Sequence, residues 1–146
     1  MSIECDYENP WYFEGAPFLS ENIDDNFGFV YLITNIQSGK RYIGRKYFWS
    51  FRKPPGKKRR VKKESDWKKY YGSCPELKED IELLGRQNFS RTILSLHKTA
   101  GKTNFEETKQ LFVNGVLTES LDTGGPAYYN SNILSMYFRK DYYDGD

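Results

Sequence analysis

Gly28–Arg45, GFVYLITNIQSGKRYIGR, is the stretch from which the rest of this chain can be read. Two runs rich in aromatic and β-branched residues, Phe29–Thr34 and Arg41–Gly44, flank a turn made from Asn35, Ile36, Gln37, Ser38 and Gly39. That composition predicts a β-hairpin with a loop of about four residues. Antiparallel partners sum to a constant, so pairing Asn35 with Lys40 sets Tyr31 opposite Gly44 and Ile33 opposite Tyr42. Side chains alternate between faces along a strand, so this register puts both tyrosines on one face, a diagonal apart. A slip of one residue would separate them. Two phenols are therefore expected side by side, with a glycine leaving room for close approach to the sheet.

Charge is distributed unevenly around this hairpin. The 146-residue chain has a net charge of only +2. Residues 1–27 nevertheless contain seven acids and no Lys or Arg, whereas residues 40–72 contain fourteen Lys or Arg against Glu64 and Asp66. Concentrated positive charge in a nearly neutral domain is the footprint of a polyanion partner, most often nucleic acid. There is no apolar run long enough for a membrane span, and the acidic, aromatic N-terminus does not read as a signal peptide. Cys5 and Cys74 are too few and too far apart for a zinc site or a disulfide framework, which agrees with a reducing cytoplasm.

Outward from the hairpin, residues 1–26 read as an acidic, aromatic N-terminal extension. Trp11, Tyr12, Phe13 and Phe18 are too apolar for a free tail, so part of it is expected to pack on the domain. After the hairpin, Lys46–Arg52 leads into a basic insertion, 53–65, where a Pro-Pro-Gly break and a run of like charges predict a flexible arm. Arg45, Lys46, Lys57, Lys58, Arg59, Arg60, Lys62 and Lys63, interleaved with Tyr47, Phe48, Trp49 and Phe51, suit phosphate contacts and base stacking.

Pro75 and Gly85 bracket a short amphipathic helix with a Leu77, Ile81, Leu84 stripe. Asn88–Leu96 reads as a strand ending near His97, the only histidine. A second helix is predicted over Thr103–Gly115, capped by Thr103 or Asn104 with Glu106 or Glu107 completing a capping box. A Gly124-Gly125 loop, Tyr128-Tyr129-Asn130 and a short apolar segment over Ile133–Phe138 follow. Residues 136–146 form a C-terminal tail that turns acidic and frayed from Asp141.

The two tyrosines, their spacing of eleven and the Tyr42-Ile43-Gly44 triplet resemble the GIY-YIG nuclease superfamily. Phe29-Val30-Tyr31 stands where the family has Gly-Ile-Tyr, with a glycine displaced to Gly28. The order of hairpin, basic arm, helix, strand, helix and Tyr-Asn resembles that catalytic fold over residues 27–135. The resemblance implies an α+β domain with a small central antiparallel three-stranded sheet flanked by helices. It also implies a site made of Tyr31, Tyr42, an arginine, a glutamate and Asn130. Arg52, ten residues beyond Tyr42, is assigned as the arginine, with Arg45 and Lys46 as rivals. Glu107 is assigned as the glutamate and metal ligand, with Glu106 as the rival register.

Such residues suit phosphodiester hydrolysis. A lone carboxylate can hold one Mg²⁺ (or Mn²⁺) that keeps most of its waters, and an arginine offers a planar fork to phosphate. The resemblance further implies that Tyr31 serves as general base, which requires neighbouring cations to lower a phenol pKa of about 10. The reading is a metal-dependent DNA endonuclease similar to those of phage homing and restriction systems, acting in the cytoplasm of a host cell, with homodimerisation as an option. A GIY-YIG-like DNA-binding module without catalysis, or a basic adaptor for RNA or an acidic protein, are the alternatives.

Overall fold

The computed structural model describes residues 5–53, 55–56 and 58–145. In chain order its strands and helices are β1 (Tyr12–Phe13), β2 (Ala16–Pro17), β3 (Gly28–Asn35), β4 (Arg41–Tyr47), β5 (Trp49–Arg52), β6 (Val61–Glu64), α1 (Pro75–Leu84), β7 (Phe89–His97), α2 (Ala100–Val113), β8 (Asn132–Ile133), β9 (Tyr137–Phe138) and α3 (Arg139–Tyr142). The principal sheet has the order β2-β1-β7-β3-β4. Its centre, β7-β3-β4, is antiparallel, but β1 pairs with β7 in parallel, so the sheet is mixed and five-stranded. This corrects the three-stranded antiparallel sheet expected from sequence. The two extra strands are two residues long, too short to show an alternation that could be read in advance.

The hairpin adopts the register that its alternation requires, with Tyr31 opposite Gly44 and Ile33 opposite Tyr42. Strand β3 lies between two layers. Phe29, Tyr31 and Ile33 point into a core shared with Trp11, Phe48, Trp67, Leu77 and Ile81. Val30 and Leu32 face a second core with Ile43, Leu111, Val116 and Tyr128. Burial on both faces explains why the β3 sequence is a nearly continuous apolar run.

Helix α1 starts on Pro75 and stops before Gly85, burying Leu77 and Ile81 as its stripe predicts. Helix α2 begins at Ala100, earlier than expected, because Thr99 is the cap: its side chain accepts from the Lys102 amide. Thr103 is a buried interior residue of the helix. Glu106 and Glu107 therefore sit mid-helix and form no capping box.

Trp11, Phe18 and Ile23 of the N-terminal segment belong to the main core. The Trp11 indole N–H donates to the Trp67 carbonyl at 2.7 Å. Arg91, only 1% exposed, stacks between the rings of Trp11 (4.7 Å) and Tyr71 (4.2 Å) and donates to the carbonyls of Asn9 and Tyr70. The basic insertion is also more ordered at its base than an arm. Strands β5 and β6 pair as a separate antiparallel ribbon, with Trp49 opposite Glu64 and Arg52 opposite Val61. Beyond the ribbons, residues 139–142 of the tail form the helical turn α3.

Candidate active site

Strand β4 is the outer strand of the principal sheet, and the site is built around its open edge. Ala127–Tyr129 cover the first part of that edge: the Arg41 amide donates to the Ala127 carbonyl (2.9 Å) and the Tyr129 amide to the Arg41 carbonyl (2.7 Å). Asn130 then continues the ladder with its side chain. Its Nδ2 donates to the Ile43 carbonyl at 2.8 Å and its Oδ1 accepts from the Ile43 amide at 3.1 Å. Both ends of the amide are thereby used on a buried strand edge, so Asn130 supports the site by mimicking a peptide.

Past Asn130 the edge opens into a cleft of about 440 Å³ lined by Tyr42, Ser73, Cys74, Arg45, Glu107 and Asn130, among others. Side chains from both faces of the sheet meet here. Tyr42 shares the face of Tyr31, whereas Arg45, opposite Val30, belongs to the face covered by α2. On α2, Thr103, Glu107 and Leu111 recur every four residues and make its inward stripe, so Glu107 is the carboxylate aimed at β4. Its Oε1 lies 3.7 Å from Arg45 Nη1, and its side chain is 19% exposed. Glu106 does not line the cleft. Arg45 is oriented by Asn104, one turn before Glu107, whose Oδ1 accepts from Arg45 Nε (2.5 Å) and from the Tyr47 hydroxyl (2.6 Å).

The backbone of Arg52 is in β5, and its side chain lies outside the described residues. Among the described residues, Arg45 is the arginine that lies beside Glu107. Lys46 points to the other face, 2.6 Å from Asp66 and above the Tyr70 ring at 4.1 Å. Lys58, Arg59, Arg60, Lys62 and Lys63 are exposed on the ribbon and its tip; Lys57 lies outside the described residues.

The two phenols differ in access. Tyr42 reaches the cleft, with its ring centroid 6.2 Å from that of Tyr31. Tyr31 is 1% exposed and lies over Gly44, where an added Cβ would clash with its hydroxyl. Gly72, at φ +87°, turns the chain over both rings. Burial, reinforced by the neighbouring Tyr42 and Tyr70, raises the Tyr31 pKa well above its ordinary value. Burial also pushes Tyr42 up to about 12, against a Ser73 hydrogen bond that pulls it down. Among the described residues, burial and the neighbouring phenols and Glu107 all oppose ionisation of Tyr31. Burial raises Glu107 above the usual carboxylate range, and Arg45 opposes that rise.

Sequence reading passed over Ser73 and Gly72 and took Asn104 only as a helix cap. Asn104 had a usable signal, since it precedes Glu107 by three residues on one helix face. The Tyr70–Ser73 loop had none, because only folding carries it across the hairpin.

Among the described residues no group of three or more His, Cys, Asp or Glu could hold a metal ion. The donor set in the cleft is the single carboxylate of Glu107. That set suits a hydrated Mg²⁺, which dehydrates reluctantly and is commonly held by one or two carboxylates. A half-buried carboxylate whose ionised form is penalised by desolvation gains from such a cation.

A family model described as "Putative endonuclease segE, GIY-YIG domain" matches residues 11–133. No curated protein and no solved structure matches the chain.

Proposed function

This chain belongs to the GIY-YIG nuclease superfamily, and from that membership we propose that it is an endonuclease that hydrolyses DNA phosphodiester bonds with one divalent cation. The observation that carries the reading is the meeting of Arg45 and Glu107, 3.7 Å apart, in the cleft that Tyr42 also lines.

Each residue has a separate task. Arg45 presents its guanidinium fork to a non-bridging phosphate oxygen, with Asn104 fixing its plane. Glu107 holds the cation. When bound, the cation supplies charge stabilisation to the phosphate and the leaving oxygen. Tyr42, held by Ser73, orients the attacking water by its hydroxyl. Tyr31 lies one layer deeper and supports Tyr42 and Tyr70 from behind. Asn130 keeps the β4 edge in line. The desolvated walls strengthen these electrostatic contacts relative to water.

The direct test is incubation of purified protein with supercoiled plasmid and Mg²⁺ or Mn²⁺, with and without chelator. Nicked or linear product that disappears with chelator is expected. Retained DNA binding without cleavage under any divalent cation would leave a DNA-binding module in place of an enzyme.

A further inference from the structure

The β5–β6 ribbon is separate from the principal sheet but is not loosely attached to it. Glu64 Oε1 at its base accepts from Ser20 Oγ and from the Trp67 indole, each at 2.7 Å. The Ser65 amide donates to the Phe48 carbonyl (2.7 Å) and the Ser65 hydroxyl to the Tyr47 carbonyl (2.6 Å). Phe51 stacks on Phe27 with centroids 6.3 Å apart and planes 8° from parallel. The ribbon is therefore aimed by a rigid root.

Cross-strand partners share a face. Trp49, Phe51, Lys62 and Glu64 make the face that carries the anchoring contacts, with Lys62 Nζ 4.2 Å from the Trp49 ring. Ser50, Lys63 and Val61 lie on the opposite face. The sequence from Lys53 to Lys63 contains no acid. The only carboxylate on the ribbon, Glu64, is occupied at the root.

A continuous track joins the ribbon to the cleft. Arg45 lines the cleft with Glu107, and also lines a neighbouring hollow of about 250 Å³ with Lys46, Trp49 and Ser50. The next hollow is lined by Lys46, Ser50 and Lys63 together with Glu64, Ser65 and Asp66, and Asp66 pairs with Lys46 at 2.6 Å. Arg45, Lys46 and Lys63 thus follow one another outward from the Glu107 carboxylate toward the ribbon. Two strands lie about 4.8 Å apart, and with side chains they need a groove of roughly 10 Å or more; the major groove, about 12 Å wide, admits such a ribbon undeformed, whereas the minor groove, about 6 Å, must first be widened at a cost in DNA deformation.

We infer that the β5–β6 ribbon enters the major groove of duplex DNA on the Arg45 side of the scissile phosphate, with Lys46 and Lys63 holding the intervening backbone. The inference rests on the reading of this domain as one that acts on DNA. It assigns a fixed offset between the contacted base pairs and the cut.

The test compares wild type with a variant carrying Lys58→Ala, Arg59→Ala, Arg60→Ala and Lys63→Ala, all at exposed positions, by anisotropy on a 30-base-pair duplex in chelator and by guanine-N7 methylation interference. Wild type should show interference over a short stretch on one side of the cut. It should also bind duplex at least tenfold more tightly than either single strand. The variant should keep its Tm, lose that interference and bind at least tenfold more weakly. Its slope of log K against log salt should flatten by up to about 4, since each engaged phosphate contributes about −0.9. An unchanged slope and interference pattern in the variant would overturn the inference, as would equal affinity for single strands. If wild type shows the interference but cuts nothing with Mg²⁺ present, the ribbon assignment stands and the endonuclease reading fails.

Discussion

Gly44 and Tyr31 face each other so closely across β3 and β4 that any Cβ at position 44 would overlap the Tyr31 phenol. The glycine of the second motif is thus a steric requirement set by the tyrosine of the first. Gly44→Ala should cost about 1–3 kcal/mol, the usual scale of overpacking, and should reduce cleavage by displacing the ring. In the Tyr31→Phe background the same change should cost somewhat less, because the hydroxyl is gone although the ring carbon that bore it still meets the Cβ. Chemical denaturation of the four proteins measures the coupling; strictly additive costs would mean that the strands separate to absorb the methyl.

The two phenols should separate kinetically. Tyr42→Phe removes the hydroxyl that lines the cleft, and single-turnover cleavage should fall by about 10²-fold, the scale of a lost acid–base or water-orienting group. Tyr31→Phe should fall less if Tyr31 supports from behind. A larger loss at Tyr31 than at Tyr42 would return the water-activating role to Tyr31 and would require substrate or cation to offset the burial that now raises its pKa.

For Glu107 the pH dependence has a definite sign. Burial raises its pKa, so activity that needs the ionised carboxylate should be lost on acidification at a pH above the ordinary range for Glu. Arg45 lowers that pKa, so Arg45→Met should move the acidic limb to still higher pH as well as weaken turnover. Glu107→Gln should abolish cleavage with DNA affinity within a few-fold. The folded state binds its proton more tightly than the unfolded chain, so ionisation of Glu107 opposes folding as pH rises through the window above the unfolded value. Glu107→Gln should therefore have a Tm at pH 7 at least equal to that of wild type. A clear drop in Tm would show that the Arg45 contact outweighs the desolvation cost.

Asn130 and Arg91 should behave as structural residues with catalytic consequences. Asn130→Ala leaves the Ile43 amide and carbonyl unpaired at a buried edge, at a cost of about 2–4 kcal/mol. Asn130→Asp should not rescue, since a carboxylate can accept from the amide but cannot donate to the carbonyl. Arg91→Met should detach the Asn9–Trp11 segment and lower Tm by roughly 5–15 °C. Limited proteolysis should then cut near residues 5–10 in the variant and spare them in wild type; equal protection in both would show that Trp11 and Phe18 hold the segment without Arg91.

The hairpin, its register and the shared face of Tyr31 and Tyr42 were legible in the sequence, because antiparallel pairing and a period of two leave one arrangement once the turn is recognised. Helix α1 was legible for a similar reason: its proline, glycine and apolar stripe are local signals. The choice of Glu107 over Glu106 was half legible in the Thr103, Glu107, Leu111 spacing, although Gly101 hid the true start of α2. Only the tertiary structure decided the rest. Tyr42 and Arg45 point to opposite faces of one strand, and they share a cleft only because β4 is an edge around which α2 and the Tyr70–Ser73 loop close. That closure sets Arg45 beside Glu107, a meeting that spacing along the chain does not reveal. Strands β1 and β2 and the root of the β5–β6 ribbon likewise depend on partners such as Thr92, Trp67 and Ser20, contributed by distant segments. Local sequence specifies what a segment prefers by itself; contacts between residues far apart in the chain are set by how the two cores pack against the shared sheet.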